Sequence, residues 1–274
     1  MNNSTRRFCT SVWLLGLLAF AGAASAETVL ITGSNQGIGL EFAKQYAARG
    51  WTVIATHRRD TTPESLASLA KQYPKVRIER LDVSNDEHIK ALAAKLKGEP
   101  IDILLHNAGL IRTAPVMDRQ GNANQMFGTL DYKLLDDFVH VNIAGPIKIS
   151  EALVENVKAS KLKKIVAISS AAGMVSQPPR SPLGTPGTDH WWYRITKAGL
   201  NSAMRLLSVE LEDDGVTVVM FHPGGVQVES FGDTKLPGFV PPEEAIGKMI
   251  KTIDGLTLED TGRFLQNDGT DHPW

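Results

Sequence analysis

The fold is decided by Thr28-Val-Leu-Ile-Thr-Gly33-Ser-Asn-Gln-Gly37-Ile-Gly39-Leu-Glu-Phe-Ala-Lys-Gln-Tyr46. A short apolar, β-branched run gives way to a glycine-rich turn and then to apolar residues at helical spacing. That order predicts a buried strand, a tight turn and an amphipathic helix. Gly33 permits a sharp turn off the strand end. Gly37 and Gly39 carry no side chain that would keep a pyrophosphate from the first helical turn. The unpaired N–H groups there, with the positive end of the helix dipole, form an anion site. Glycine turns also arise for purely steric reasons, so the reading depends on its surroundings.

The surroundings continue the alternation. Further strands are expected at Trp51–Thr56, Val76–Leu81, Ile101–Leu105, Lys164–Ile168, Val216–Phe221 and Arg263–Leu265. Helices are expected at Glu87–Leu96, Leu130–Ser160, Trp191–Leu211 and Pro241–Asp254. Strands alternating with helices predict an α/β fold, a doubly wound, seven-stranded parallel sheet of Rossmann-like type with helices on both faces. With 274 residues, 42% of them hydrophobic, the chain suits one large domain. No repeat or linker divides it.

The first 26 residues read differently. Arg6 and Arg7 precede an apolar run from Val12 to Ala24, and Ala24-Ser-Ala26 is a small-residue cleavage signature. Residues 1–26 are expected to be a secretory signal peptide, the alternative being an uncleaved N-terminal anchor, although the run is short for a span. The paired arginines leave Sec and twin-arginine export both open. Residues 27–274 then form the mature, exported domain, periplasmic or secreted. Its 27 basic and 30 acidic side chains give a net charge of −3, and the only cysteine, Cys9, leaves with the signal. Such a domain forms no disulfide. Its charge offers no basic surface for nucleic acid, and no membrane contact is expected beyond the N-terminal segment. No cluster suggests a metal.

Three strand ends carry chemistry. After the second strand stand His57-Arg58-Arg59, with Asp60 late. An acid there would hold a ribose 2′-hydroxyl, whereas guanidinium groups suit a 2′-phosphate, so NADP(H) is expected in preference to NAD(H). The fourth strand ends in His106-Asn107-Ala108-Gly109, a small-residue turn where ligands sit in open α/β sheets. The fifth ends in Ser169-Ser170, and the long helix after it holds Tyr193 and Lys197, four apart and therefore on one face. An ammonium beside a phenol stabilises phenolate and lowers the tyrosine pKa. Ser170 and Tyr193 could then hold a carbonyl oxygen while Tyr193 supplies the proton. Asn142, within a predicted helix, is a poor helix former, either a harmless surface residue or the mark of a local break.

Thr32-Gly-Ser-Asn-Gln-Gly-Ile-Gly39, Asp82-Val83, Asn107-Ala-Gly109, Asn142, Ser170, Tyr193-X-X-X-Lys197 and Pro223-Gly224 stand in this order. In that set residues 27–274 resemble the short-chain dehydrogenase/reductase superfamily. Ala55-Thr-His-Arg58, Tyr193 to Asn201, Asp254 to Asp260 and the ending Gly262-Arg-Phe264 resemble its C-factor/sniffer-like NADPH carbonyl reductases. The resemblance implies a catalytic tetrad of Asn142, Ser170, Tyr193 and Lys197, with Asn142 breaking its helix to hold a water that links Lys197 to solvent. It implies a cofactor site of Gly33, Asn35, Gln36, Gly37, Ile38, Gly39, Arg58, Asp82, Val83, Asn107, Ala108, Gly109, Tyr193, Lys197, Pro223, Gly224 and Val226. In it, Asp82 would take the adenine amine, Asn107 the ribose, Arg58 the 2′-phosphate and Pro223 to Val226 the nicotinamide end. The implied substrate is a small carbonyl or alcohol, and the implied assembly a homodimer or homotetramer paired through the two long helices.

Three features depart from the pattern. Ser170 and Tyr193 are 23 residues apart, longer than usual, and the excess is a Pro/Gly-rich loop, Gln177 to Gly187, expected to shape the substrate pocket. His190, Trp191 and Trp192 are candidates either for that pocket or for core packing. Val228 stands where the family has Thr, removing a hydroxyl near the cofactor. An exported reductase also meets little NADPH. These departures leave open a cofactor-binding sensor without turnover. An epimerase or dehydratase sharing the Tyr/Lys pair is the other alternative, disfavoured by the glycine spacing and the short C-terminal part.

Overall fold

The computed structural model describes residues 26–111, 125–176, 190–232 and 235–274, so residues 1–25 of the expected signal peptide and the loop expected at 177–187 lie outside the described residues. The opening stretch forms β1 (Thr28–Ile31) and α1 (Gly37–Ala48). Then follow β2 (Thr52–His57), α2 (Glu64–Gln72), β3 (Val76–Arg80), α3 (Asp86–Lys95) and β4 (Ile103–His106). A long helical stretch runs through α4 (Leu135–Val139), a π-helical turn at His140–Ala144 and α5 (Gly145–Lys158). β5 (Lys164–Ile168), α6 (Trp191–Glu210), β6 (Thr217–His222), α7 (Pro242–Gly255) and β7 (Phe264–Gln266) complete the order. The strands pair in parallel in the order β3-β2-β1-β4-β5-β6-β7, the predicted seven-stranded sheet.

The two-residue period of the strands sends alternate side chains to opposite faces. Val29 and Ile31 join Phe42, Tyr46, Leu66, Met249 and Ile253 on the face covered by α1, α2 and α7. Leu30 joins Ile54, Leu104, Ile149, Leu153, Leu200 and Met204 on the face covered by α3, α5 and α6. Each such large apolar side chain, fully buried, contributes roughly 1.5–3 kcal/mol. Between β1 and β4 the strand order reverses, so the connecting helices leave to opposite faces. The crevice that opens at the carboxyl ends there is where open α/β sheets bind ligands.

The sequence reading left α2 out. Leu66 and Leu69 are buried, and Ala70 and Tyr73 pack on the same core, so the i, i+3, i+4, i+7 spacing was present along with the start signals Pro63 and Glu64. The last residues are no loose tail. Asp271 pairs antiparallel with Leu265, and the His272 N–H donates to Phe264 O at 2.8 Å, strapping the end of the chain back over β7.

Candidate active site

The glycine turn is held from three sides. Gly33 and Gly37 have φ of +67° and +56°, conformations that favour glycine. Thr32 Oγ1 accepts the N–H groups of Asn107 and Ala108, each at 3.0 Å, and Asn107 Nδ2 donates to Thr32 O at 3.0 Å and Gly33 O at 2.9 Å. Ser34 Oγ donates to Ile31 O and accepts from Thr56 N, tying the turn to β2. Asn35 O accepts from Ser65 Oγ at 2.7 Å, Gln36 caps α1 in an extended conformation, and Ile38 packs on the core below. Gly39 has a packing reason besides the expected one. A Cβ there would lie 2.3 Å from Asn107 Nδ2 and 2.4 Å from Gly33 O, so close packing of the helix start on the turn itself requires glycine. Asn107 is likewise first a brace of the turn, with its amide nitrogen spent and its Oδ1 left for a ligand.

At the end of β2 the late acid is occupied. Asp60 pairs with Arg80 at 2.5 Å, and Arg58 has no ion-pair partner among the described residues. Asp82 stands close by. Burial pushes its carboxyl up, but two hydrogen bonds from Ser84 and the Arg58 charge hold it below the usual range. The residues fit a phosphorylated adenosine here, with an exposed cation and a half-buried anion in place. Val83 is buried, and its carbonyl lies where a Cβ on Gly145 would come within 2.7 Å. That close approach seats the start of α5 against the end of β3.

The π-helical turn at His140–Ala144 is the break that Asn142 marks. Its buried side chain binds the strand-end loop in both directions. Oδ1 accepts from Leu110 N at 2.7 Å, and Nδ2 donates to Leu110 O at 2.8 Å and Thr196 Oγ1 at 2.9 Å. Asn142 therefore locks the β4 end to α6, one residue before Lys197. Lys197 is itself buried, its Nζ donating to Ile168 O at 2.7 Å and standing 5.7 Å from the centre of the Tyr193 ring. The two share a helix face, as their spacing required. Burial pulls the Lys197 pKa down to about 8. Gly109 lies beside both, a Cβ there standing 3.5 Å from Asn142 Oδ1 and 3.6 Å from Lys197 Nζ.

Ser170 is extended and caps a single turn, Ala171–Gly173, its Oγ accepting from Ala172 N at 3.1 Å. The hydroxyl hydrogen is left to donate. Gly173 sits on the backbone of α6, where a Cβ would come within 2.8 Å of Lys197 C. The serine turn and the Tyr/Lys helix are thus in direct backbone contact. Trp192 belongs to the core: it is buried, its Nε1 donating to Asp131 O at 2.9 Å. Trp191 stacks on Phe127 at 5.2 Å.

The segment after β6 closes the far side. Pro223 O accepts from Asn267 Nδ2 at 3.0 Å, Gly224 adopts φ +78°, and buried Val226 pairs with Val240. Val228 comes within van der Waals reach of Gly37, 3.5 Å from a Cβ placed there. Glu229 was not foreseen: its Oε2 accepts from Gly37 N at 3.0 Å, putting a carboxylate on the anion site of α1. The sequence reading also passed over His222, whose Nδ1 accepts from Ala171 N at 3.1 Å. Both contacts join segments far apart in the chain.

The chain matches the family model of the short chain dehydrogenases over residues 27–236. The chain belongs to that family of oxidoreductases. It is 31% identical over 253 residues to a 1-hydroxy-2-glutathionyl-2-methyl-3-butene dehydrogenase of Rhodococcus sp. (strain AD45), covering 90% of this chain and all of the relative. It is 30% identical over 187 residues to the C-signal protein of Myxococcus xanthus, covering 68% of this chain and all of that one. Among solved structures, the NADPH-bound carbonyl reductase from chicken fatty liver superposes with a TM-score of 0.79 at 28% identity, covering 91% of this chain and 94% of that chain.

Proposed function

We propose that the chain is an NADP(H)-dependent oxidoreductase that moves a hydride between nicotinamide and a carbonyl or alcohol carbon, with Tyr193 giving and taking the proton. The observation that carries this reading is the convergence of Ser170, Tyr193 and Lys197 at the carboxyl ends of β4 and β5, with Lys197 Nζ facing the Tyr193 ring at 5.7 Å. The unpaired Arg58 and the NADPH bound by the chicken carbonyl reductase support the choice of NADP(H).

When bound, the cofactor supplies the hydride. The chain's own residues do the rest. The N–H groups at the start of α1 would hold the pyrophosphate in place of the Glu229 carboxylate, and Arg58 would hold the 2′-phosphate. Ser170 donates its hydroxyl hydrogen to the substrate oxygen, which fixes the carbonyl and stabilises the charge that develops on it. The Tyr193 phenol, with the Lys197 ammonium one helical turn away, protonates the same oxygen. Asn142 keeps Lys197 in place through Thr196 and Leu110, and the π-helical turn opens the backbone beside them for a water leading to solvent.

The test is loss of NADPH by the purified mature protein against aldehydes, ketones and quinones. Tyr193→Phe should lower turnover about 10²- to 10⁴-fold with NADPH binding retained. Equal turnover by the variant would remove Tyr193 from the chemistry. Binding without turnover on the whole panel would favour the sensor.

The same reading extends to the whole chain: cleavage after Ala26, export of residues 27–274, and a homodimer or homotetramer paired through α5 and α6. Exposed Ile195, Leu206 and Val209 on α6, the last two 70% and 64% exposed, support that face.

A further inference from the structure

The N–H of Ala171 belongs to the peptide that follows Ser170, at the start of a single turn with no helix before it to accept the bond. Its partner is the last side chain of β6. The register that sets Ile168 opposite Phe221 brings His222 level with the serine turn, and its Nδ1 accepts from Ala171 N at 3.1 Å. An acceptor at Nδ1 requires a neutral ring with its hydrogen on Nε2. The strapped C-terminal segment supports that ring. His272 meets His222 edge-to-face at 5.0 Å and lies 4.6 Å from Phe264. Arg263 Nε donates to Asp271 Oδ1 at 2.9 Å, fixing the strap on β7. Burial, helped by the nearby His272, keeps His222 uncharged by drawing its pKa down to about 4.

We propose that His222 is a positioning residue for Ser170: by accepting the Ala171 N–H it fixes the serine turn, and with it the direction in which the Ser170 hydroxyl donates. The inference rests on the reading of Ser170 as the group that holds the substrate oxygen. On the other side the turn is already fixed by Gly173 against the Lys197 backbone. His222 supplies the second point of support, so that the serine turn is clamped between β6 and α6. The strap holds the histidine ring and so belongs to the same device, although it is remote in sequence from the reacting groups.

Four proteins test this: His222→Leu, His222→Asn, Ser170→Ala and the His222→Leu, Ser170→Ala double variant, each compared with wild type for carbonyl reduction and NADPH affinity. His222→Leu should lower kcat by about 10- to 100-fold at unchanged NADPH affinity. His222→Asn, whose Oδ1 can take the place of Nδ1, should recover most of the loss. On the Ser170→Ala background His222→Leu should cost nothing further, because its effect passes through the serine. Equal losses in the leucine and asparagine variants, or a loss that multiplies that of Ser170→Ala, would overturn the proposal. If Ser170→Ala alone left turnover unchanged, the reading of Ser170 itself would fall, a distinguishable result. Amide exchange of Ala171 in wild type is independent of whether any variant folds. Protection is expected there, and exchange at the rate of an unbonded amide would equally refute the contact.

Discussion

Lys197 holds a charge where charge is costly. It is only 4% exposed, its Nζ meets a carbonyl, and no carboxylate pairs with it among the described residues. Burial lowers its pKa from 10.5 to about 8. Between those two values the unfolded chain binds more protons than the folded one, so this group makes stability rise with pH across that window. Below it, the folded protein carries the full penalty of a buried ammonium, on the order of 3 kcal/mol. Lys197→Met should therefore abolish turnover yet raise resistance to urea at pH 7, less about 1 kcal/mol for the lost bond to Ile168. Near pH 9.5 the advantage should fall to about half or less. A variant less stable than wild type at neutral pH would show that the site imposes no such strain. The Tyr193/Lys197 pair was legible from spacing alone, since four residues return to one helix face. The part played by His222 was not, because only the β5–β6 register brings it to Ala171.

At the scale of elements, the first turn of α1 and the segment after β6 meet at the proposed pyrophosphate site. Glu229 satisfies the Gly37 N–H at 3.0 Å, so a pyrophosphate arriving there displaces a carboxylate that repels it. A charge at a helix N-terminus is worth roughly 0.3–1 kcal/mol, so Glu229→Gln should tighten NADP(H) binding about 2- to 5-fold. Titration calorimetry reads this directly, and an unchanged or weaker affinity would refute the competition. The glycine turn was readable because strand, turn and helix each leave a local signature. Two of its details were not. Gly39 answers to Asn107 and Gly33 O, and the Glu229 contact spans 192 positions of the chain. The π-helical turn was half legible: Asn142 announced a weak helix, while its grip on Leu110 and Thr196 depends on where β4 ends. Helix α2 was legible in principle, since Leu66, Leu69, Ala70 and Tyr73 stand at helical spacing, but it is short and its remaining positions are polar or small.

For the whole molecule, Glu27 is the first residue whose backbone is tied into the sheet among the described residues, its carbonyl accepting from Thr52 N at 2.9 Å. The next N–H, of Thr28, donates to Asp102 Oδ2 at 2.8 Å. A cut after Ala26 would then leave every bond of β1 intact. Native mass spectrometry of protein recovered from the cell envelope should find a chain starting at Glu27, assembled as a dimer or tetramer. A full-length chain would favour the anchor, and a monomer would refute the pairing of α5 and α6. The sheet as a whole was the most legible feature. Seven parallel strands need runs buried on both faces, and such runs stand out between glycine and proline breakers even where their ends shift by a residue or two.

The long interval between Ser170 and Tyr193 is fastened at both margins before residue 177 and after residue 189. Ser176 N donates to Trp274 O at 2.6 Å, and Trp191 N to Gln125 O at 3.0 Å. Both ends of the interval are thus moored to other parts of the chain. A graft between these moorings would test the proposed chemistry at long range: the spectrum of compounds turned over should change, while Ser170 and Tyr193 keep the places the scaffold gives them.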